Sequence, residues 1–173
     1  MSAAEETLFW CVPAADEAAR FQAVIDLLGA AQNAAPFQPH LTLGAVRGPM
    51  PDVRTVCDAL AGLRLTPIEI AETDLFTKSL FVRFEASSVL RAGRAMLESL
   101  PGFRAGRTFD PHVSLCYGAP VNRGACDAEI EGLLDYPVRF DRLVAMRIPL
   151  PVETYDDIRQ WTPLGAHDIS ERV

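Results

Sequence analysis

Phe37-Gln38-Pro39-His40-Leu41-Thr42-Leu43 and Phe109-Asp110-Pro111-His112-Val113-Ser114-Leu115 are one phrase written twice, 72 residues apart. In each, a histidine precedes a hydroxyl residue by two positions, among apolar residues that favour a strand. Side chains at i and i+2 of a strand project from the same face, so each phrase presents an imidazole beside a hydroxyl. Two such pairs brought together supply an acid, a base and two neutral hydrogen-bond donors around one substrate atom. That is equipment for phosphoester chemistry.

The repetition extends beyond the phrase. At the same offset Thr7-Leu8-Phe9 matches Ser79-Leu80-Phe81, and Val24, Ile25 and Leu28 fall opposite Met96, Leu97 and Leu100. A period this long with two copies describes a pair of related lobes rather than a solenoid. The pattern predicts strands over 7–12, 40–46, 68–71, 80–84, around 112, 138–150 and 159–164. Helices are predicted over 16–32, after Asp52 as a cap, from Ser87 or Ser88 to 100, and after Asn122 as a cap. That order gives two β-α-β-α units with additional strands, an α+β chain whose lobes share a central cleft with the two motif strands facing one another across it. Residues 1–173 are expected to form one bilobal domain, since no linker or low-complexity segment parts the halves.

The chain has 173 residues, 49% of them hydrophobic, enough for a substantial core. Its formal charge of −7 offers no basic footprint for a long duplex and favours small substrates or nucleic-acid ends. Arg104 and Arg107 can still make the region near the second histidine locally positive, although a solvated loop is the plainer reading. Cys11, Cys57, Cys116 and Cys126 lack metal-ligand spacing and read as reduced core thiols. With no membrane-length apolar run and no signal-peptide pattern at the start, a cytoplasmic protein with no membrane partner is expected.

Paired His-x-[Ser/Thr]-apolar motifs in a chain of this size resemble the two-histidine (2H) phosphoesterase superfamily. The Trp10 strand entering Pro13, the Phe-x-Pro-His approach and the Tyr117 that closes the second phrase are similar to its cyclic phosphodiesterase branch. The resemblance implies a pseudo-two-fold fold with antiparallel sheets around a cleft and helices outside. It also implies His40 and His112 as the acid and base, Thr42 and Ser114 as phosphate ligands, and Trp10 and Tyr117 as the nucleotide wall. The expected activity is hydrolysis of nucleoside 2′,3′-cyclic phosphates or ADP-ribose 1″,2″-cyclic phosphate, in the setting of RNA processing, by a monomer. An RNA-end enzyme of the same superfamily, 2′,5′-RNA ligase-like or a 3′-end exonuclease, and a non-catalytic nucleotide-binding module stand as alternatives.

Elementary chemistry agrees with the two-histidine assignment. Opening a cyclic phosphodiester requires water to lose a proton while the departing ribose oxygen gains one. Two imidazoles near neutral pH can divide those tasks. The motifs contain no third histidine or carboxylate to complete a zinc site, so no metal and no cofactor is expected. Lys78, just before a predicted strand, can reach a phosphate or sit in a solvated turn. His167 lacks the motif and reads as a surface residue. The residues alone do not say which histidine is the base.

Overall fold

The computed structural model describes residues 6–106, 108–118, 123–124 and 126–171. Arg107 and the Asn122 cap lie outside the described residues. The strands are β1 (Glu6–Pro13), β2 (Leu41–Arg47), β3 (Arg64–Leu65), β4 (Pro67–Glu72), β5 (Leu80–Phe84), β6 (His112–Cys116), β7 (Val138–Ile148) and β8 (Thr162–Asp168). Between them lie helices α1 (Ala15–Ala30), α2 (Arg54–Leu60), α3 (Ser88–Glu98), α4 (Asp127–Glu131) and α5 (Tyr155–Arg159). Single 3₁₀ turns cover Phe76–Lys78 and Gly132–Leu134.

All registered pairings are antiparallel, in the order β3-β7-β1-β2-β6-β5-β4, with β8 also pairing β7. The two motif strands therefore lie side by side in one sheet instead of facing each other across a cleft. They join through one registered pair, Leu41 with Val113. The reason lies in their edges: β1 covers one side of β2 and β5 one side of β6, and pairing the remaining edges leaves neither strand exposed. Each half also lends a strand to the other. β4 pairs with β5, and β7, at the 72-residue offset from it, pairs with β1.

Alternation along the strands sends Phe9, Cys11, Leu41, Val113 and Leu115 to one face of the sheet. There they pack with Phe21, Val24, Ile25 and Leu28 of α1, Val56, Cys57 and Leu60 of α2, and Leu90 and Leu97 of α3. Where α2 meets α3, only a glycine fits. A Cβ on Gly93 would stand 2.2 Å from Leu60 Cδ2. The opposite face carries a smaller cluster of Trp10, Val12, Val144, Met146 and Ile148, with Leu8, Val152 and Trp161 against it. This second face is left open where the motif strands meet, and there the site forms.

Local differences from the sequence expectation have local causes. Residues 155–159 are helical because Thr154, the N-cap, and Asp157 close a reciprocal capping box, so the last strand starts at Thr162 instead of 159. Asp52 lies one position before the N-cap Val53, and its carboxylate accepts from the Arg54 N–H. Ser87 caps α3 by accepting from the Leu90 N–H. All four cysteines are buried and none is in a disulfide, and His167 is exposed on β8. Among the described residues no helix is long and apolar enough to cross a membrane.

Candidate active site

The register at the β2–β6 seam determines how the two phrases meet. Continued by one residue in each direction from Leu41–Val113, it sets His40 across from Ser114 and Thr42 across from His112. Directly opposed residues of an antiparallel pair have Cβ atoms about 4.5–5.5 Å apart. The four side chains thus form a small quadrilateral on the open face, with histidines on one diagonal and hydroxyls on the other. All four line one cavity of about 370 Å³, together with Trp10, Tyr117, Thr77, Leu8 and Ile148.

Each imidazole is oriented by the backbone two residues before it. Nδ1 of His40 lies 2.8 Å from the Gln38 carbonyl, and Nδ1 of His112 lies 2.7 Å from the Asp110 carbonyl. A carbonyl can only accept, so each Nδ1 carries the proton and donates it. Nε2 of each neutral ring is then left as a lone-pair acceptor for chemistry. Proline at positions 39 and 111 fits this arrangement, because it has no N–H to compete for the preceding backbone and holds it extended.

The hydroxyls differ in their engagement. Ser114 Oγ donates to the Thr77 carbonyl at 2.8 Å, which leaves its lone pairs facing other donors. Thr42 stands opposite Trp10 in the β1–β2 ladder, beside a bulge that inserts Leu43 between registered pairs. Gly44 completes that bulge, and a Cβ there would come within 2.9 Å of Leu97 and 3.0 Å of Phe103.

Around the histidines the two halves diverge. His40 is stacked on Trp10, ring centroids 3.7 Å apart and 16° from parallel, with the edge of Trp161 at 5.9 Å. Tyr117 Oη lies 3.5 Å from His40 Nε2, and the Tyr117 ring stacks on Phe37 at 4.2 Å. Burial in this aromatic cage pushes the His40 pKa down to about 4, with His112 adding a small repulsion and the Gln38 carbonyl opposing. The same burial holds the Tyr117 phenol above its ordinary value and neutral.

His112 has polar company. Its ring meets the edge of Phe81 at 5.2 Å. The Asp110 carboxylate is gripped by Lys78 and, at 2.9 Å, by Arg83 Nε, while Arg83 also pairs with Glu69. Desolvation lowers the His112 pKa, the Asp110 carbonyl and carboxylate oppose it, and Lys78 and Arg83 add to the lowering. Lys78 is thus tied down by Asp110 and lies over the Phe81 ring at 4.6 Å, instead of in a solvated turn.

Trp161 is the aromatic residue of the cavity lining that sequence reasoning did not single out. It follows α5, where its N–H bonds the Ile158 carbonyl, and it packs edge-on against Trp10, His40 and Tyr117. Leu150, Pro151 and Val152 of the same β7–β8 connection complete that wall. The only signal in the sequence is that Trp161 is one of two tryptophans in the chain. Among the described residues, no three His, Cys, Asp or Glu side chains come together in a metal-holding group.

A family model described as "LigT like Phosphoesterase" matches residues 10–83, a stretch holding Trp10 and the first histidine phrase. Residues 10–83 are thus similar in sequence to the LigT-like phosphoesterases, and the match spans less than half of the chain. The second phrase lies beyond the matched stretch, and the β2–β6 seam brings it alongside the first. Among solved structures, E. coli LigT complexed with 3′-AMP is similar at 16% identity and a TM-score of 0.52, covering 98% of this chain and 100% of that one. LigT complexed with NADP⁺ is similar at 14% identity and a TM-score of 0.56, over 96% and 99%. A structure described only as a phosphoesterase follows at 13% identity and 0.53, over 96% and 99%. At these identities the likeness establishes the fold alone. No curated protein sequence matches the chain.

Proposed function

We propose that this protein is a LigT-like phosphoesterase, a metal-independent hydrolase that opens nucleoside 2′,3′-cyclic phosphates, ADP-ribose 1″,2″-cyclic phosphate, or both. The observation that carries the reading is the matched pair of imidazoles, each fixed through Nδ1 and each beside a hydroxyl, on one wall of a single cavity. The bound 3′-AMP and NADP⁺ of the structurally similar E. coli LigT support a nucleotide as occupant.

In this reading the cyclic phosphate docks over the quadrilateral, its non-bridging oxygens toward Thr42 and Ser114. Water attacks phosphorus in line with the ribose oxygen that leaves. A neutral histidine takes the water proton, a protonated histidine delivers one to the leaving oxygen, and a phosphomonoester results. The Thr42 hydroxyl donates to the charge that grows on the equatorial oxygens, and Ser114 joins it by turning its proton from the Thr77 carbonyl to the phosphate. Trp10 and Tyr117, with Trp161, wall the nucleoside side. Base–aromatic stacking is worth about 1–3 kcal/mol and discriminates little among bases.

The surroundings of the two rings favour a division of labour. His40, enclosed by Trp10, Trp161 and Tyr117, is neutral at pH 7 and suited to be the base. His112, beside the Asp110 carboxylate, is the better place for a proton once an anionic substrate arrives. The test is phosphorus NMR of cyclic-nucleotide and ADP-ribose 1″,2″-cyclic phosphate mixtures with a chelator present, beside His40→Ala and His112→Ala. Ring opening that both variants lose supports the hydrolase. No turnover by folded wild-type protein removes the small cyclic-phosphate reading and favours RNA ends or a binding module.

A further inference from the structure

We propose that the open end of the cavity holds a second anion subsite, formed by Arg47 and Arg104 over Glu6, for a further phosphoryl group of the same nucleotide. The inference rests on the cavity being a nucleotide site. Glu6, Leu8 and Trp10 alternate along β1 and so share the cavity face. Leu8 and Trp10 line the cavity, as does Ile148, the residue directly across from Glu6 in the β1–β7 ladder. The subsite therefore begins where the cavity wall ends. From Trp10 to Glu6 is four residues of strand, about 13 Å at ~3.3 Å per residue. Arg104 is anchored closer in, its backbone N–H on the Ala45 carbonyl, and Ala45 is registered opposite Leu8, two residues from Trp10.

The cluster is built from distant parts of the chain. The Glu6 carboxylate is 6% exposed, and its Oε1 accepts from Arg47 Nε at 2.7 Å and Arg104 Nη1 at 2.6 Å. Arg104 is further fixed by its backbone N–H to the Ala45 carbonyl. One arginine suffices to neutralise one carboxylate, so among the described residues the second leaves a unit of positive charge beside Glu6 in a chain whose formal charge is −7. The charges beside His112 show no such excess, since Lys78 and Arg83 face Asp110 and Glu69. The side chains of Arg47 and Arg104 are 52% and 41% exposed. Each guanidinium carries five N–H donors and spends one on Glu6, which leaves a held, partly desolvated fork for phosphate oxygens.

The decisive experiment measures equilibrium binding, so it does not depend on turnover. Both tryptophans of the chain line the cavity, which makes their fluorescence a direct report of occupancy. The probes are 2′-AMP and adenosine 2′,5′-bisphosphate, titrated into wild-type protein, Arg47→Gln, Arg104→Gln and the double variant. Either single variant leaves Glu6 one partner, so the fold is kept, and a thermal melt checks it. The bisphosphate is expected to bind about tenfold more tightly to wild type, as one charge-assisted contact gives. That advantage shrinks in each single variant, vanishes in the double, and weakens as salt rises.

Equal affinity for the two probes, no binding of either, or an advantage that survives the double variant overturns the subsite. A bisphosphate preference without hydrolysis of any cyclic phosphate keeps the subsite and sinks the hydrolase. A 2′-phosphorylated dinucleotide and ADP-ribose 2″-phosphate then show whether the further phosphate comes from an RNA chain or from a diphosphate bridge.

Discussion

His40 lies among Trp10, Phe37, Tyr117 and Trp161, whereas His112, in the same phrase 72 residues later, lies beside Asp110, Lys78 and Arg83. The backbone treats the two rings alike, holding each Nδ1 with the carbonyl two positions back. What differs is the dielectric around them and the charge within reach. A near-symmetric scaffold can therefore give two chemically equal groups unequal readiness to take a proton, as an acid–base pair requires. One substitution in the phrase accounts for much of the charge difference: Gln38 stands where the second copy has Asp110.

The hardest blow to this comparison is removal of either imidazole. His40→Ala and His112→Ala are each expected to lower kcat by roughly 10²–10⁴-fold, the usual contribution of a positioned acid or base, measured by phosphorus NMR or coupled assay. A loss confined to one variant would mean that the site is not a pair. Thr42→Val should cost roughly 10²-fold in kcat, with KM moving less, if its hydroxyl stabilises transition-state charge. An effect on KM alone would make it a ground-state contact.

Stability against pH isolates the His40 cage. Its pKa is lowered from 6.5 to about 4 on folding, so between those values the unfolded chain binds the extra proton. Stability from this group is then complete above pH 6.5 and is lost as pH falls toward 4, by up to about 3 kcal/mol. Denaturant melts of His40→Gln should show a flatter acid slope than wild type. An unchanged slope would mean that the cage leaves the imidazole free to protonate.

The smallest expected effect concerns the charged side. Asp110→Asn removes a carboxylate that favours protonated His112 and frees Lys78 and Arg83, which disfavour it. The alkaline limb of the kcat/KM profile should move to lower pH. A shift of the acid limb instead would exchange the roles assigned to the two rings.

The sequence made each histidine–hydroxyl pair legible because periodicity is local. His40 with Thr42 and His112 with Ser114 needed only the two-residue alternation of a strand, and the duplicated phrase marked them as partners. Cys11, Leu41 and Val113 announced the buried face in the same way. The seam itself was not legible. Whether two strands lie side by side or face to face is decided by which edges remain uncovered, and that depends on β1, β5 and the exchanged strands β4 and β7.

Trp161 and the Glu6–Arg104 pair were hidden for a related reason. Both depend on contacts between residues far apart in the chain, without a motif to link them. The short α5 escaped because five residues give no helical periodicity, although Thr154 and Asp157 supplied a capping signal.

The claim that the two rings do different jobs is tested most directly by changing the leaving group. A nucleoside 2′,3′-cyclic phosphate with sulfur at the departing bridging position releases a thiolate, which needs no proton from an acid. The account predicts that this substrate restores turnover to His112→Ala while His40→Ala stays inactive, because the base is still required to activate water. Rescue of His40→Ala alone would reverse the assignment, and rescue of neither variant would contradict a division into acid and base.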